Sequence, residues 1–455
     1  MTARPKRPGG ASRRRDPSGR PRGRFGLGKR GIPVKGTGLF GKRPQLGWIC
    51  FWTAACCLWT AGCSGAPEAA ESDWNRADAP AREVWAPPAP ETPPQGEEEA
   101  SVWEKSARAL LAGMTLEEKV GQMFLARCPE EDAAQKAAEF QLGGYLLFAR
   151  DFAGKTKEEV AQCIRTYQNA AELPMLIAVD EEGGAVNRVS RFPALRSEPF
   201  PSPQDLYRTG GLDAVRADTI EKCRLLGDLG IRGNLAPVCD VSQDPSDYIY
   251  PRTLGRSGAE TAQYVQTVVT AMKQEGTVAA LKHFPGYGGN GDTHTGVAYD
   301  DRPYESFLQS DFLPFQAGVD AGADMVLVCH NVVACMDSRY PASLSASVHE
   351  ILREELGFTG VIVTDDLSMA GVRDFAGEAQ AAVLAVQAGN DLLCSTDFEI
   401  QIPAVLEAVR QGTISLEQVD QSVLRILEMK LSAGILQPVQ KTWAAAASSR
   451  KDLLQ

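Results

Sequence analysis

Residues 360–395 read GVIVTDDLSMAGVRDFAGEAQAAVLAVQAGNDLLCS and contain the repeating unit of the fold. The apolar run at 360–366 ends in two acids, and its length and aliphatic composition predict a buried strand. A helical stretch at 375–388 follows, and a second apolar run at 390–395 predicts the next strand. Strands that alternate with helices in this way favour βαβ units and a parallel sheet.

The same alternation extends through the rest of the chain. Predicted strands lie at 120–127, 143–148, 175–180, 233–240, 279–286, 324–330, 360–366 and 390–395. Predicted helices lie at 131–140, 156–172, 211–229, 257–276, 303–322, 346–356, 375–388, 400–412 and 415–432. Eight strand–helix units predict a (β/α)8 TIM-type barrel that forms a single catalytic domain. The alternative is an open doubly wound sheet, which is disfavoured because no strand is followed by a glycine-rich phosphate loop.

Composition and charge exclude several classes of protein. The chain has 455 residues, of which 44% are hydrophobic and 23% charged, as in soluble globular proteins. Residues 1–43 carry 14 Lys or Arg and one acid, so the remaining 412 residues have a net charge of −24. An acidic body argues against nucleic acid as a partner, because that binding needs a basic surface. No protein partner can be inferred from the sequence.

The first hundred residues have the pattern of a secretory signal and a spacer. The basic stretch precedes an uncharged apolar run at 44–62, and small residues lead into Cys63, so 1–63 is predicted to be the signal segment. The end of that run, TAGC, resembles the bacterial lipoprotein signal, in which the cysteine is acylated. A plain signal peptide and an uncleaved anchor are the alternatives. Residues 64–101 are rich in Pro, Ala and Glu, which predicts a disordered linker.

We therefore expect a membrane-anchored lipoprotein outside the cytoplasm, in the bacterial cell envelope. The spacer would let the catalytic domain stand away from the membrane. The remaining predicted segments are the barrel domain, 102–438, and a C-terminal tail, 439–455.

Polar residues occur where the predicted strands end. They are Asp180, Asp240, His283, His330 and Asp365. In a (β/α)8 barrel the C-terminal ends of the strands form the catalytic face, so we expect these side chains around one site. Of the two acids at 365–366, one is expected to point into the barrel mouth, as a nucleophile or a metal ligand, and the other to cap the next helix.

The loop after the fifth predicted strand is rich in glycine. It reads KHFPGYGGNGDTH from 282 to 294, and Asp292 and His294 are two positions apart. In an extended segment such side chains point the same way. A carboxylate beside an imidazole fixes its tautomer and raises its pKa, which suits a general acid/base. A lone D-x-H is more often structural, but its position in this loop favours a functional pair.

Three segments together resemble glycoside hydrolase family 3. They are VDEEGGAVNR (179–188), the KHFPG segment with its D-x-H loop, and TDDLSM (364–369). The resemblance covers about 105–438 and is closest to the single-domain β-N-acetylhexosaminidase branch. It implies a retaining, exo-acting enzyme for terminal β-N-acetylglucosamine. With the lipoprotein signal, it implies peptidoglycan fragments as substrate.

The resemblance also implies a role for each matching position. Asp365 matches the nucleophile, which forms a covalent glycosyl-enzyme. His294 matches the acid/base and Asp292 its partner. The matching substrate-binding positions are Asp180, Arg188, Arg252, Lys282, His283 and His330. The family's usual His after the Pro-Gly is Tyr287 here, and the loop is one residue shorter than the common form.

Other activities on the same barrel remain open. A β-N-acetylglucosaminide phosphorylase would use phosphate as the acceptor, and a β-glucosidase or β-xylosidase would differ in the sugar it binds. A sugar-binding protein without activity is disfavoured, because Asp365, Asp292 and His294 are all present. The sequence has no nucleotide loop and no metal-ligand spacing, so no cofactor or metal is expected.

Overall fold

The computed structural model describes residues 96–291 and 296–438. The predicted signal segment with Cys63, the linker up to residue 95 and the tail from residue 439 lie outside the described residues. The predicted acid/base residues Asp292 and His294 lie outside them too.

The described residues contain strands and helices in alternation. The strands are β1 Phe124–Arg127, β2 Gly144–Leu147, β3 Leu176–Val179, β4 Gly233–Asn234, β5 Val278–Phe284, β6 Tyr299–Asp300, β7 Met325–Val328, β8 Val332–Val333, β9 Val361–Thr364 and β10 Leu393–Ser395. The α-helices are α1 Gly96–Gly113, α2 Leu116–Gln122, α3 Ala133–Glu139, α4 Ala149–Phe152, α5 Lys157–Ala170, α6 Pro203–Leu229, α7 Gly258–Gln274, α8 Tyr304–Ser306, α9 Phe312–Asp320, α10 Ala346–Glu350, α11 Ala370–Ala376, α12 Glu378–Ala388, α13 Phe398–Arg410 and α14 Leu416–Ser432. Short 3-10 turns cover Tyr250–Arg252 and Ala342–Leu344, and π-helical turns cover Phe307–Asp311 and Ile351–Glu355.

Eight of these strands form one parallel sheet that closes into a barrel. Its order is β10-β1-β2-β3-β4-β5-β7-β9. The two end strands meet at a parallel bridge between Val363 and Leu392. There the amide of Leu392 donates to Ile362 O at 3.0 Å, and the amide of Thr364 donates to Leu392 O at 3.1 Å. This arrangement, with helices between successive strands, confirms the predicted (β/α)8 barrel.

The strands are buried on both faces, which is why they read as continuous apolar runs rather than as alternating ones. Every residue of β2, β3, β5, β7, β9 and β10 is buried. The helices cover the outside with one apolar face each. In α7, for example, Val265, Val269 and Met272 are buried at the spacing of one helix face.

The first predicted strand is too long at its start, because α2 occupies part of it. Thr115 and Glu118 form a capping box in which each side chain accepts from the other residue's backbone N–H. This cap begins a helix that continues to Gln122, and β1 begins only at Phe124. The cap satisfies amides at the helix start, and this local signal prevails over the apolar run that follows.

The fourth predicted strand is also shorter than expected. Only Gly233 and Asn234 of the stretch 233–240 belong to β4. Pro237 has no N–H and cannot donate to a neighbouring strand. The segment still lies beside β5, because the amide of Lys282 donates to Pro237 O at 3.2 Å.

Two features of the described residues were not predicted. Helix α1 begins at Gly96, within the stretch 64–101 predicted as linker, and packs against α14. Strands β6 and β8 form a separate two-stranded parallel ladder. Among the described residues, every helix is too short or too polar to span a bilayer.

Helix α14 carries a lysine into the barrel wall. Lys430 is fully buried, and its Nζ donates to Oε1 of Gln122 at 2.7 Å. Burial lowers the pKa of Lys430 to about 7. The folded protein therefore holds this group partly neutral at pH values where an unfolded chain would keep it protonated.

We predict that Lys430→Met removes a pH dependence of stability. In the wild type the unfolded chain binds more protons than the folded chain between pH 7 and the ordinary lysine pKa. The free energy of unfolding should therefore rise with pH in that window, by about 1.4 kcal/mol per pH unit from this group. Urea unfolding at several pH values measures the slope. Lys105→Met, at an exposed position of α1, is the control. An equal slope in Lys430→Met and wild type would contradict the assignment.

Candidate active site

A cavity of about 700 Å³ opens at the C-terminal ends of the barrel strands. This is the face on which the sequence predicted a site. Six predicted site residues line the cavity together: Asp180, Arg188, Arg252, Lys282, His283 and Asp365. The chain brings them from the ends of β3, β5 and β9 and from the connections that follow β3 and β4.

Lys282 lies at the floor of this cavity between two carboxylates. Its Nζ is 2.7 Å from Asp180 Oδ1 and 2.6 Å from Glu182 Oε1, and the side chain is only 2% exposed. Burial alone lowers the pKa of Lys282, but attraction to Asp180 and Glu182 outweighs burial and raises it. The ammonium group is therefore a permanent donor at the cavity floor.

Glu182 is a site residue that the sequence reasoning missed. Its carboxylate accepts from Arg252 Nη2 at 2.7 Å and from Arg252 Nε at 3.0 Å, a bidentate pair. Burial alone raises the pKa of Glu182, but attraction to Arg252 and Lys282 prevails and holds it well below its usual range. The signal in the sequence was the run of three acids at 180–182, of which only the first was assigned.

His283 is held in one tautomer by its two neighbours. Nδ1 lies 2.7 Å from Asp240 Oδ2, and Nε2 lies 3.1 Å from Arg252 Nη2. A guanidinium can only donate, so Nε2 must be the acceptor and the ring proton sits on Nδ1, where it is donated to Asp240. The other oxygen of Asp240 accepts the backbone N–H of Tyr287 at 2.7 Å.

The turn after β3 explains the spacing between Asp180 and Arg188. The carboxylate of Glu181 accepts from the backbone N–H of Arg188 and of Val189, each at 2.7 Å. Gly183 has φ of 100°, and a Cβ there would lie 2.3 Å from Pro201 O, so only glycine fits. The chain thus folds back on itself, and the side chain of Arg188 returns to the cavity.

Arg127, at the end of β1, was not predicted as a site residue. Its guanidinium lies 4.4 Å from the centre of the Phe148 ring, and that of Arg188 lies 5.5 Å from the same ring. Both arginines line the cavity. Each has a buried Nε without a hydrogen-bond partner among the described residues. In the sequence, the sign of this role was the position of an arginine at the end of a predicted strand.

The two acids after β9 have different surroundings. The carboxylate of Asp366 accepts from Thr396 Oγ1 at 2.7 Å and from the backbone N–H of Ser368 at 2.9 Å, so it holds the turn. Asp365 lines the cavity, and its Oδ1 accepts the backbone N–H of Asp366 at 2.9 Å. Asp366 also lines the cavity, and it holds a turn rather than the start of α11, whose N-cap is Met369, so the expected helix cap is not formed.

His330 lies outside the residues that line the cavity. It is fully buried, with Nδ1 2.7 Å from Ser343 Oγ and Nε2 3.0 Å from the backbone oxygen of Asp366. These contacts support the turn that carries Asp365. Its part in substrate binding remains a prediction.

The described residues before 292 and after 295 are joined by polar contacts. Asn290 Nδ2 donates to Asp300 Oδ2 at 2.8 Å. Arg302 bonds Asp300 at 2.8 Å and Asp311 at 3.0 Å. The described residues on either side of the segment thus belong to one network of hydrogen bonds and ion pairs around Asp300. Within 96–291 and 296–438, no cluster of His, Cys, Asp and Glu has the makeup of a metal site.

Comparisons with known proteins agree with this geometry. The family described as "Glycosyl hydrolase family 3 N terminal domain" matches residues 115–429. The "Beta-hexosaminidase LpqI" of Mycobacterium tuberculosis is 32% identical over 315 residues, covering 66% of this chain and 78% of that protein. The "Beta-hexosaminidase" of Xanthomonas campestris is 34% identical over 279 residues, covering 60% of this chain and 82% of that protein.

Solved structures give the same result. The glycoside hydrolase family 3 β-N-acetylglucosaminidase from a Paenibacillus species has a TM-score of 0.66 at 29% identity, covering 74% of this chain and 68% of that one. A β-glucoside phosphorylase has a TM-score of 0.66 at 20% identity, covering 76% of this chain and 64% of that one, which shows the fold alone. The family match and these relatives identify the protein as a glycoside hydrolase. The chain belongs to glycosyl hydrolase family 3, as the sequence resemblance predicted.

We predict that Glu182→Gln destabilises the protein by removing the buried carboxylate charge that pairs with Arg252 and Lys282. Breaking such a pair costs about 3–5 kcal/mol, which lowers Tm by roughly 10 °C in a domain of this size. The pKa of Glu182 is depressed on folding, so its contribution is present above the ordinary glutamate pKa and is lost at lower pH. The difference in Tm between variant and wild type should therefore narrow below about pH 4.

Glu130→Gln is the matched control for this measurement. Glu130 also pairs with an arginine, Arg150, but its side chain is 73% exposed. Removing an exposed pair should change Tm little. The measurement is Tm from thermal melts at pH 7. If Tm fell equally in both variants, the buried carboxylate would contribute no more to stability than the exposed one.

Proposed function

We propose that the protein is a retaining exo-β-N-acetylhexosaminidase that removes terminal β-linked N-acetylglucosamine. The observation that carries this proposal is the position of Asp365, which lines the same cavity as the charged cluster of Asp180, Lys282 and Arg252. A carboxylate placed beside a hydroxyl-binding floor is what a glycosidase nucleophile requires. The names of the relatives, β-hexosaminidase and β-N-acetylglucosaminidase, support the choice of sugar.

In the first step Asp365 attacks the anomeric carbon of the sugar. The bond from this carbon to the leaving oxygen breaks, and His294 donates a proton to that oxygen. The result is a covalent glycosyl-enzyme and a released alcohol or sugar. Asp292 pairs with the imidazole and stabilises its protonated form.

In the second step water replaces the enzyme carboxylate. His294, now neutral, takes a proton from water as its oxygen bonds to the anomeric carbon. The bond to Asp365 breaks, and the free carboxylate is restored. Two inversions at the same carbon give overall retention of configuration.

The floor of the cavity binds the sugar hydroxyls in this scheme. Lys282 and Arg252 are fixed donors. Asp180 already accepts a hydrogen bond from Lys282, and its carboxylate can also accept one from a sugar hydroxyl. Their mutual ion pairs hold them in place before the sugar arrives, so little ordering is needed on binding.

The substrate and location follow from the signal segment. A chain acylated at Cys63 would hold the barrel outside the cytoplasmic membrane, at the end of a spacer. Fragments of peptidoglycan carry β-linked N-acetylglucosamine and are present there. We propose that fragments of peptidoglycan are the natural substrate. We also propose that the protein is located in the cell envelope and held there by a lipid anchor.

A second candidate is a β-N-acetylglucosaminide phosphorylase. One observation favours it: Arg127 and Arg188 line the cavity, and neither guanidinium forms an ion pair with any described residue. Two such guanidiniums could hold a phosphate that replaces water in the second step. Phosphate would then yield a sugar 1-phosphate rather than the free sugar.

We predict that the full-length chain hydrolyses 4-nitrophenyl N-acetyl-β-D-glucosaminide and that Asp365→Asn lowers kcat at least a thousandfold, because no covalent intermediate forms. Asp374→Asn, an exposed acid with a side chain 65% accessible, is the control and should keep wild-type activity. Proton NMR of the first product should show the β anomer. An α anomer, or full activity in Asp365→Asn, would overturn the mechanism. If the protein hydrolysed aryl β-glucosides or β-xylosides faster than the N-acetyl-β-D-glucosaminide, the sugar assigned to the site would change.

We predict that the rate and products are independent of added phosphate. The measurement is the same assay with and without phosphate, followed by detection of sugar 1-phosphate by mass spectrometry. A phosphate-dependent rate that is lost in Arg127→Gln would favour the phosphorylase instead. Arg191→Gln is the control, since Arg191 also lies over a phenylalanine ring but does not line the cavity.

A further inference from the structure

Asp300, Arg302 and Asp311 form an ion-pair cluster, the Arg302 cluster, that has no role in the scheme above. Arg302 Nη2 lies 2.8 Å from Asp300 Oδ2, and Arg302 Nη1 lies 3.0 Å from Asp311 Oδ2. Both carboxylates are 2% exposed. The guanidinium also lies 4.3 Å from the centre of the Phe307 ring. Two acids and one ring thus hold this arginine in a single orientation.

The Arg302 cluster holds the turn that follows β5. Arg302 Nη2 donates to Gly286 O at 3.3 Å. Asn290 Nδ2 donates both to Asp300 Oδ2 and to Tyr287 O, each at 2.8 Å. The guanidinium and one acid of the cluster therefore each bond one end of this turn, so the position of its backbone is tied to the cluster.

Two glycines let the turn lie directly against the Arg302 cluster. Gly288 has φ of 56°, and a Cβ there would lie 2.6 Å from Arg302 Cζ. A Cβ on Gly286 would collide with Asp311 Oδ1. A side chain at either position would push the turn away from the cluster, so the close fit depends on glycine at both.

The turn is connected to the cavity through one backbone amide. The N–H of Tyr287 donates to Asp240 Oδ1 at 2.7 Å. The other oxygen of Asp240 accepts from His283 Nδ1 at 2.7 Å, and His283 Nε2 accepts from Arg252 Nη2 at 3.1 Å. His283 and Arg252 line the cavity. A continuous series of contacts between described residues thus runs from Arg302 to the cavity wall.

We propose that Arg302 is a positioning residue, which orients the ring of His283 in the cavity wall through the turn and Asp240. If the turn shifts, Asp240 loses the Tyr287 amide and can rotate, and the imidazole bonded to Asp240 rotates with it. A displacement of about 1 Å at a residue that contacts substrate can cost about a hundredfold in rate. The effect on turnover rests on the proposed function, but the orientation of the ring does not.

The first test measures the ring itself. The chain has four histidines, so their ring nitrogens can be resolved by NMR of the full-length protein isotopically labelled at histidine, and His283→Gln identifies the signals of His283. The wild type at pH 8 should show a proton on Nδ1 and none on Nε2. Arg302→Lys keeps the charge but loses the planar fork that reaches both acids and Gly286 O. Its two His283 signals should move toward each other, since the ring then exchanges between tautomers.

The second test measures activity. The kcat/KM for 4-nitrophenyl N-acetyl-β-D-glucosaminide should fall at least tenfold in Arg302→Lys, with the folded fraction checked by near-ultraviolet circular dichroism. Asn290→Ala is a milder variant, because it removes the bond between Asp300 and the turn and leaves both ion pairs of Arg302 in place. It should shift the same His283 signals and lower kcat/KM about threefold. It also provides both readouts if Arg302→Lys does not fold.

Arg353→Lys is the matched control. Arg353 also bonds a buried acid, Asp391, at 2.6 Å, and donates to Phe358 O at 2.8 Å and to Gly360 O at 2.7 Å. Gly360 immediately precedes β9, at the opposite end of that strand from Asp365. This variant should lower Tm without changing the His283 signals or kcat/KM.

Unchanged His283 signals in both Arg302→Lys and Asn290→Ala, or equal changes in Arg353→Lys, overturn the inference. Shifted signals with an unchanged kcat/KM overturn the positioning role as well. If the wild type hydrolyses no aryl glycoside, the proposed function fails, and the His283 signals alone then decide whether Arg302 orients the ring.

Discussion

The buried carboxylate of Glu182 is the interaction on which the site depends. It lies between Arg252 and Lys282, and each cation is in turn held by a second partner, His283 or Asp180. Two cations and two carboxylates balance within the cluster, so the floor is strongly polar without a large net charge. Such a floor can hydrogen-bond the neutral hydroxyls of a sugar, and it needs no counterion when the cavity is empty.

Most of the fold was predictable because each strand is buried on both faces. Continuous aliphatic runs such as those of β7 and β9 are unusual outside a covered parallel sheet, and their number pointed to a barrel. The errors lie where a local interaction prevails over the apolar pattern. The capping box at Thr115 makes the start of one predicted strand helical, and Pro237 limits another to two ladder residues.

The site was predictable where a motif is contiguous and less so where residues converge from distant segments. Asp365 follows an apolar strand and Lys282 lies near the end of one, both within recognisable motifs. Glu182 stood beside an assigned acid, but its role depends on Arg252, which comes from another connection 70 residues away. Arg127 has no motif around it, and its relation to Phe148 exists only in the closed barrel. Asp292 and His294 lie outside the described residues, so their roles remain predictions.

The two hydrogen bonds of His283 fix the orientation of its ring in the cavity wall. Its single ring proton is committed to Asp240, and its remaining lone pair is occupied by Arg252. Both ring nitrogens are thus occupied by hydrogen bonds to protein groups, so the ring cannot turn without breaking both. The imidazole therefore presents a fixed dipole and a fixed face to the cavity that it lines.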